Sequence, residues 1–258
     1  MGRHLAIVNQ KGGVGKTTTV VNLAACLAAA EHRTLLVDLD PQSNVTTGLG
    51  VDYNTLKLSI YDVIIEGNPI STVLRPTGLS FLELVPAHID LVGAELELVG
   101  LPERELRLRR ALEGLEASYD FVLIDCPPSL GLLTLNALTA AHGVLIPLQC
   151  EYYALEGLAH LLRTVDRVRE RLNPRLEIEG ILLTMFDGRT ALANEVKSEV
   201  EGHLGDQVYK TVIPRNVRLS EAPSHGKPII LYDLRSAGAM AYLELAREVI
   251  QRAATRVG

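Results

Sequence analysis

The stretch Ile7-Val8-Asn9-Gln10-Lys11-Gly12-Gly13-Val14-Gly15-Lys16-Thr17-Thr18 decides how this chain is read. It follows a short apolar run, Leu5–Val8, and opens a helix-like segment, Lys16–Ala30, which is the strand–loop–helix setting a phosphate-binding loop needs. Gly12, Gly13 and Gly15, with Val14 among them, let the backbone turn tightly with its N–H groups pointing inward. The helix that begins near Lys16 adds its positive end where phosphates would sit. Lys16 is placed to pair with the outer phosphates and Thr17 to ligate Mg²⁺ through its hydroxyl, with Thr18 closing the motif. One position departs from the general GxxxxGK[ST] pattern: Gln10 stands where the first glycine belongs, and a second lysine, Lys11, follows it. Two ammonium groups in so short a loop repel each other unless a polyanion lies between them or Lys11 points elsewhere, toward another subunit.

Outward from this loop, short apolar runs alternate with longer helix-like stretches. The runs are Leu5–Val8, Thr34–Val37, Phe81–Val85, Phe121–Ile124, Val144–Leu148, Ile181–Thr184 and Val208–Ile213. Most are Val, Ile and Leu without polar alternation, as strands buried on both faces require. The helix-like stretches are Lys16–Ala30, Asp90–Ala117, Leu130–Ala141, Tyr153–Leu172, Ala191–Leu204 and Ala237–Thr255. Pro174 stops one of them at Asn173, and Ser236 caps the start of the last. The pattern predicts an α/β fold, a mostly parallel twisted sheet with helices on both faces, built as one domain over residues 1–258. Asn44–Gly78, rich in Thr, Gly and Asn around a short helix-like Ile60–Glu66, reads as a mobile connection or a small excursion beside the site.

Two of the predicted strands end in carboxylates. Thr34–Val37 runs into Asp38-Leu39-Asp40-Pro41-Gln42, and Phe121–Ile124 into Asp125-Cys126-Pro127-Pro128. Ligands of an open parallel sheet lie beyond the carboxyl ends of its strands, so these acids and the glycine loop converge on one crevice. Asp125 suits the Walker B acid that holds Mg²⁺ through a water. Asp40 suits a place near metal and attacking water, and Asp38 suits metal support or a structural hydrogen bond.

Composition is that of an ordinary globular protein: 258 residues, 47% hydrophobic, 22% charged. Lys+Arg 25 against Asp+Glu 31 leave a net charge of −6, which argues against a wholly basic nucleic-acid-binding domain but allows a local basic patch. Cys26, Cys126 and Cys150 are odd in number, far apart and without CxxC spacing, as expected for small buried residues in a reducing cytoplasm. The N-terminus carries no export signal pattern, and no stretch of about 18 apolar residues occurs.

The residues quoted so far resemble the deviant Walker A ATPases of the ParA and MinD group. The likeness continues through Pro214-Arg215-Asn216-Val217-Arg218-Leu219-Ser220-Glu221-Ala222-Pro223-Ser224-His225-Gly226-Lys227-Pro228, which is more similar to chromosomal ParA (Soj) proteins than to MinD. The resemblance implies a cytoplasmic, nucleoid-associated ATPase that uses ATP and Mg²⁺ and forms a homodimer when ATP is bound. Lys11 then crosses to the partner's phosphates, Asp40 assists attack of water, and Pro214 and Asn216 help form the adenine and ribose site. It further implies binding of double-stranded DNA without sequence preference, and a ParB-type centromere-binding partner. No glutamine-type base is visible, so hydrolysis is expected to be slow and stimulated by a partner.

From Gln207 to Arg235 the chain is locally positive. Arg215, Arg218, Lys227 and Arg235, with Arg189 from Phe186-Asp187-Gly188-Arg189-Thr190, are the candidate phosphate contacts for DNA. MinD-like membrane attachment is the alternative. The amphipathic tail Tyr242–Val257 has Glu244 and Glu248 among its bases and no Phe or Trp anchor, so it reads as a core-packing helix, with no stable membrane insertion. An iron–sulfur ATPase would need further thiolates beside Cys126 at matched positions, and the sequence lacks them.

Overall fold

The computed structural model describes residues 2–115 and 117–257. Among these residues the chain forms a seven-stranded sheet from β1 (Arg3–Ile7), β2 (Thr34–Asp38), β3 (Arg75–Pro76), β4 (Leu82–Val85), β5 (Phe121–Asp125), β6 (Gly143–Gln149) and β7 (Glu177–Thr184). Their spatial order is β3-β4-β2-β5-β1-β6-β7, parallel throughout except for β3, which runs antiparallel to β4. The helices are α1 (Lys16–Ala29), α2 (Asn44–Gly48), α3 (Ile60–Ile64), α4 (Leu91–Val99), α5 (Arg107–Leu112) and α6 (Leu132–Ala140) in the first half. They continue with α7 (Ala154–Arg171), α8 (Ala191–Leu204), α9 (Val217–Glu221), α10 (Ile229–Tyr232) and α11 (Ala237–Val257).

Because side chains alternate across a strand, each central strand feeds two cores. Leu5, Ile7, Leu36, Leu123 and Leu145 pack with α1 and α11 on one face. Ala6, Val8, Val37, Val122, Ile124 and Val144 pack with α3 to α8 on the other. Every residue of β2 and β5 is buried, which explains their unbroken apolar sequences. With β1 flanked by β5 and β6, the carboxyl ends of β1, β2 and β5 stand side by side: Asp38 pairs in register with Asp125, and Asp125 with Ile7.

Three expectations are corrected. Val208–Ile213 is not a strand. It follows β7 through Tyr209 N–H to Ile181 O and Ile213 N–H to Leu183 O, each 2.9 Å. The amides between, of Lys210 and Thr211, donate instead to the Glu248 carboxylate of α11 at 3.0 Å each, which takes them off the ladder. The continuous helix Asp90–Ala117 is two helices, α4 and α5. Gly100 ends α4, and Pro102, which has no N–H to donate, follows it; residue 116 of the expected helix lies outside the described residues. Asn44–Gly78 is a packed segment with α2, α3, two 3₁₀ turns and β3, and it buries Val45, Ile60, Ile64, Ile70 and Val73. Ser59 and Asp62 form a capping box on α3, and Arg107 of α5 donates to Ile64 O and Ile65 O at its end, at 2.8 and 3.0 Å. The sequence hid this packing because each helix is too short to show a period.

Gly50 and Gly226 hold α2 against the turn after α9. Both have positive φ, 78° and 59°, and a Cβ on Gly226 would come within 2.7 Å of Gly50 Cα. Gly226→Ala is expected to cost roughly 2 kcal/mol from steric overlap and strain, seen as a lowered midpoint of denaturant unfolding with unchanged slope.

Candidate nucleotide site

The loop between β1 and α1 turns through Gly13 and Gly15, whose φ values of 75° and 84° suit glycine. Side chains the sequence did not single out brace it. Asn9 Nδ2 donates to Pro147 O of β6 at 2.7 Å, while Asn9 Oδ1 accepts from Lys11 N–H at 2.9 Å. Thr184, at the end of β7, donates its hydroxyl to Val14 O at 2.8 Å. Neither residue carries a motif of its own; only the neighbouring positions of β1, β6 and β7 bring them to the loop.

The two lysines part company. Lys16 is 7% exposed, and its Nζ donates across the loop to Lys11 O at 3.2 Å. Burial lowers its pKa, against the opposing pull of Asp125 and Asp40. The Lys11 side chain is 47% exposed, leaves the cleft and ion-pairs with Glu151 of the β6–α7 connection. The two ammonium groups thus have separate partners, the Lys11 carbonyl for Lys16 and Glu151 for Lys11.

Opposite the loop, three carboxylates gather. Asp125 is fully buried; its Oδ2 accepts the Thr17 hydroxyl at 2.9 Å, and its Oδ1 has no hydrogen-bond partner among the described residues. Burial, then the charge of Asp38, raises its pKa well above the carboxylate range. An orphaned buried oxygen beside a threonine hydroxyl is the hard, oxygen-only donor set Mg²⁺ takes, with water and phosphate filling its remaining positions. Asp40, 6% exposed, lines the cleft and accepts Gln42 N–H at 3.0 Å. Asp38 does not face the cleft. Its Oδ1 accepts Asp40 N–H at 3.2 Å, and its Oδ2 accepts both N–H and hydroxyl of Thr46, at 3.0 and 2.7 Å. Burial pushes its pKa up to about 7 despite these bonds. Of the two readings of Asp38, structural hydrogen bonding is the one its bonds match. Thr46 was not foreseen, since no motif marks it.

Gly12, Gly13, Gly15, Lys16, Thr17, Thr18, Asp40, Gln42, Asn44 and Pro128 surround a cleft of about 410 Å³. A second cavity of about 180 Å³ adjoins it, sharing Gly15, Thr18 and Met185 and reaching Pro214, Asn216 and Tyr242. Pro214 is held there by its bridge to Phe186, and Asn216 caps α9 by accepting Arg218 N–H at 2.9 Å. A phosphate-sized cleft opening into a narrower, partly apolar cavity suits a nucleotide with its base in the second space.

The five expected DNA contacts are all exposed and fall in groups. Arg189 and Arg215 are joined through the Phe186–Pro214 bridge, and Arg189 is paired with Asp187 at 2.7 Å. Arg218 and Arg235 meet at Asp233, whose carboxylate takes Arg218 Nε at 3.4 Å and Arg235 N–H at 3.2 Å; Arg218 also pairs with Glu221 at 2.8 Å. Lys227 stands apart, next to Gly226 and the α2 contact. The three cysteines are free and buried, and burial pushes the Cys26 thiol up to about 12. In the tail, Tyr242, Leu245, Ala246 and Val249 are buried in the core shared with α1. No helix of the described residues is long and apolar enough to cross a membrane.

This architecture is that of a P-loop nucleotide-binding protein. A family profile described as an AAA domain matches residues 2–178. The chromosome partitioning protein ParA of Myxococcus xanthus is 59% identical over 252 residues, 98% of this chain and 89% of that one. The chain belongs to the ParA and MinD group of deviant Walker A ATPases, on its chromosomal ParA and Soj side. The sporulation initiation inhibitor protein Soj of Bacillus subtilis is 59% identical over 249 residues, covering 96% of this chain and 98% of that one. Among solved structures, a Mycobacterium smegmatis protein described as cobyrinic acid a,c-diamide synthase with bound ATP analog and magnesium is 42% identical. Its TM-score is 0.85, with 97% of this chain and 95% of that chain covered.

Thr46 donates to Asp38 and accepts Ala87 N–H at 3.0 Å. Thr46→Val leaves that buried amide without an acceptor, at a cost of about 1–3 kcal/mol. ATP turnover is expected to fall with little change in KM for ATP, and Thr46→Ser, which keeps the hydroxyl, to recover it; steady-state kinetics checks both.

Proposed function

We propose that this chain, residues 1–258 as one ATPase domain, is a Mg²⁺-ATP-driven switch for chromosome or plasmid partitioning. In its ATP state it forms a homodimer that holds double-stranded DNA without sequence preference, and a ParB-type partner stimulates its slow hydrolysis. The observation that carries this reading is Lys11: a lysine of the phosphate loop whose half-exposed ammonium pairs with Glu151 rather than lining its own cleft supports a role on another subunit's phosphates. The similar proteins named for chromosome partitioning, and the similar structure with ATP analog and magnesium, support it.

In this reading Lys16, the loop amides and the positive end of α1 bind and orient the phosphates of ATP. Thr17 and Asp125 hold Mg²⁺, which when bound neutralises phosphate charge. Asp40, at the rim of the cleft, orients the attacking water and accepts its proton. Pro214 and Asn216 border the base and ribose. Lys11 of the second protomer completes the charge around the phosphates only in the dimer, so hydrolysis and DNA release are tied to assembly. Arg189, Arg215, Arg218, Lys227 and Arg235 contact DNA phosphates, and pairing two protomers doubles that footprint. The switch works in the cytoplasm, on the nucleoid.

Binding to non-specific duplex DNA tests the reading. Tight binding that weakens steeply with salt is expected with ATP and not with ADP. Lys16→Ala should abolish nucleotide binding, whereas Asp40→Ala should leave a persistent ATP dimer on DNA. Arg218→Glu should keep ATP binding and weaken DNA binding several-fold with a shallower salt slope. DNA binding that is equal in every nucleotide state, or absent in all, overturns the proposal.

A further inference from the structure

α4 presents an apolar face that no other described residue covers. Its inward positions Leu91, Ala94 and Leu98 are buried, whereas Ile89, Val92, Leu96 and Val99 are 54%, 61%, 81% and 58% exposed. Steps of four and three residues put Val92, Leu96 and Val99 on one side of α4, opposite the buried three, and Ile89 lies in the turn that leads into it. A scattered exposed apolar residue is ordinary; an aligned set on one helix marks an interaction surface.

The flanks of this face are acidic. Asp90, Glu95 and Glu97 lie along residues 89–99, which include no Lys or Arg. Glu97 accepts the Tyr61 hydroxyl at 2.8 Å. That bond, with burial and the charges of Glu97, Glu66 and Asp90, pushes the phenol up to about 12. Two bases reach this flank: His88 pairs with Asp90 at 2.8 Å, leaving the other Asp90 oxygen to a further base, and Arg104 donates to Val99 O at 3.1 Å and is paired with Glu105 at 2.9 Å.

α4 and the β4–α4 connection before it touch the segments that follow β2 and β5. The Ala87 amide, just before it, donates to Thr46, which donates to Asp38, the carboxylate that receives Asp40 N–H. Glu95 lies against the loop that follows Asp125: a Cβ on Gly131 would lie 1.9 Å from Glu95 Oε1, and that oxygen is buried with no hydrogen-bond partner among the described residues.

We infer that the exposed face of α4 seats the partner that stimulates hydrolysis, and that this partner presents a basic segment with apolar residues at helical spacing. The inference rests on the partner-stimulated reading above. Apolar anchors cover Val92 and Leu96, and lysines or arginines meet Asp90 and Glu97. A second copy of this chain is the poorer occupant, because a two-fold pairing of α4 sets these acids against themselves. An anionic lipid surface is repelled by the same acids. The seated segment bears on Asp40 through Ala87, Thr46 and Asp38, and on the Asp125 loop through Glu95, so binding at α4 reaches both sides of the cleft.

The test uses the full-length protein with its cognate ParB-type protein, ATP and DNA. Leu96→Glu is expected to keep its melting temperature, unstimulated hydrolysis and ATP-dependent DNA binding, while the partner concentration for half-maximal stimulation rises about tenfold or more. Glu97→Lys is expected to raise it as well, and Leu96→Met to leave it unchanged. Wild-type stimulation of Leu96→Glu overturns the inference. So does loss of the ATP-bound dimer in that variant, which assigns the face to a second copy. If the partner does not stimulate even the unaltered protein, the functional reading itself fails and takes this inference with it.

Discussion

The Asp38 carboxylate, buried at the end of β2, accepts three hydrogen bonds, from Asp40 N–H and from the N–H and hydroxyl of Thr46. A buried carboxylate is tolerated only where such donors surround it, so the backbone that supplies them is held to one path. That path carries Asp40 to the rim of the phosphate cleft and leads α2 back under the β4–α4 connection, where Ala87 completes the network. The position of the loop facing ATP thus depends on a side chain that never faces ATP.

Electrostatics around the glycine loop follow the same economy of parts. Lys16 gives up solvent for a buried place among Asp125 and Asp40, and its ammonium bonds to the backbone of the other lysine. Lys11 remains half-exposed beside Glu151, where an ion pair contributes little. One lysine is committed to the cleft and the other to an exposed ion pair outside it. Lys16 offsets only part of the charge of the carboxylate cluster: burial still raises the pKa values of Asp125 and Asp38, and among the described residues one Asp125 oxygen has no hydrogen-bond partner.

The far edge of the sheet shows how a helix can overrule a strand. Glu248 takes the amides of Lys210 and Thr211 and also meets Arg252 of its own helix at 2.9 Å. The segment that follows is therefore free to turn at Pro214 and place Asn216 over the second cavity. It is α11, through this carboxylate and through Tyr242, that shapes the second cavity.

By itself the sequence determined the parallel sheet and the phosphate loop, because a strand buried on both faces must be apolar throughout, and a loop wrapped around phosphate must contain glycines followed by Lys16 and Thr17. Asp125 and Asp40 were legible for the same reason: in a parallel sheet, residues after strand ends share one edge. What only the tertiary structure decided were contacts between segments distant in the chain. Thr46 under Asp38, Glu248 against residues 210 and 211, Glu151 beside Lys11 and the uncovered side of α4 leave no local pattern, since each depends on which elements pack together rather than on the spacing within any one of them.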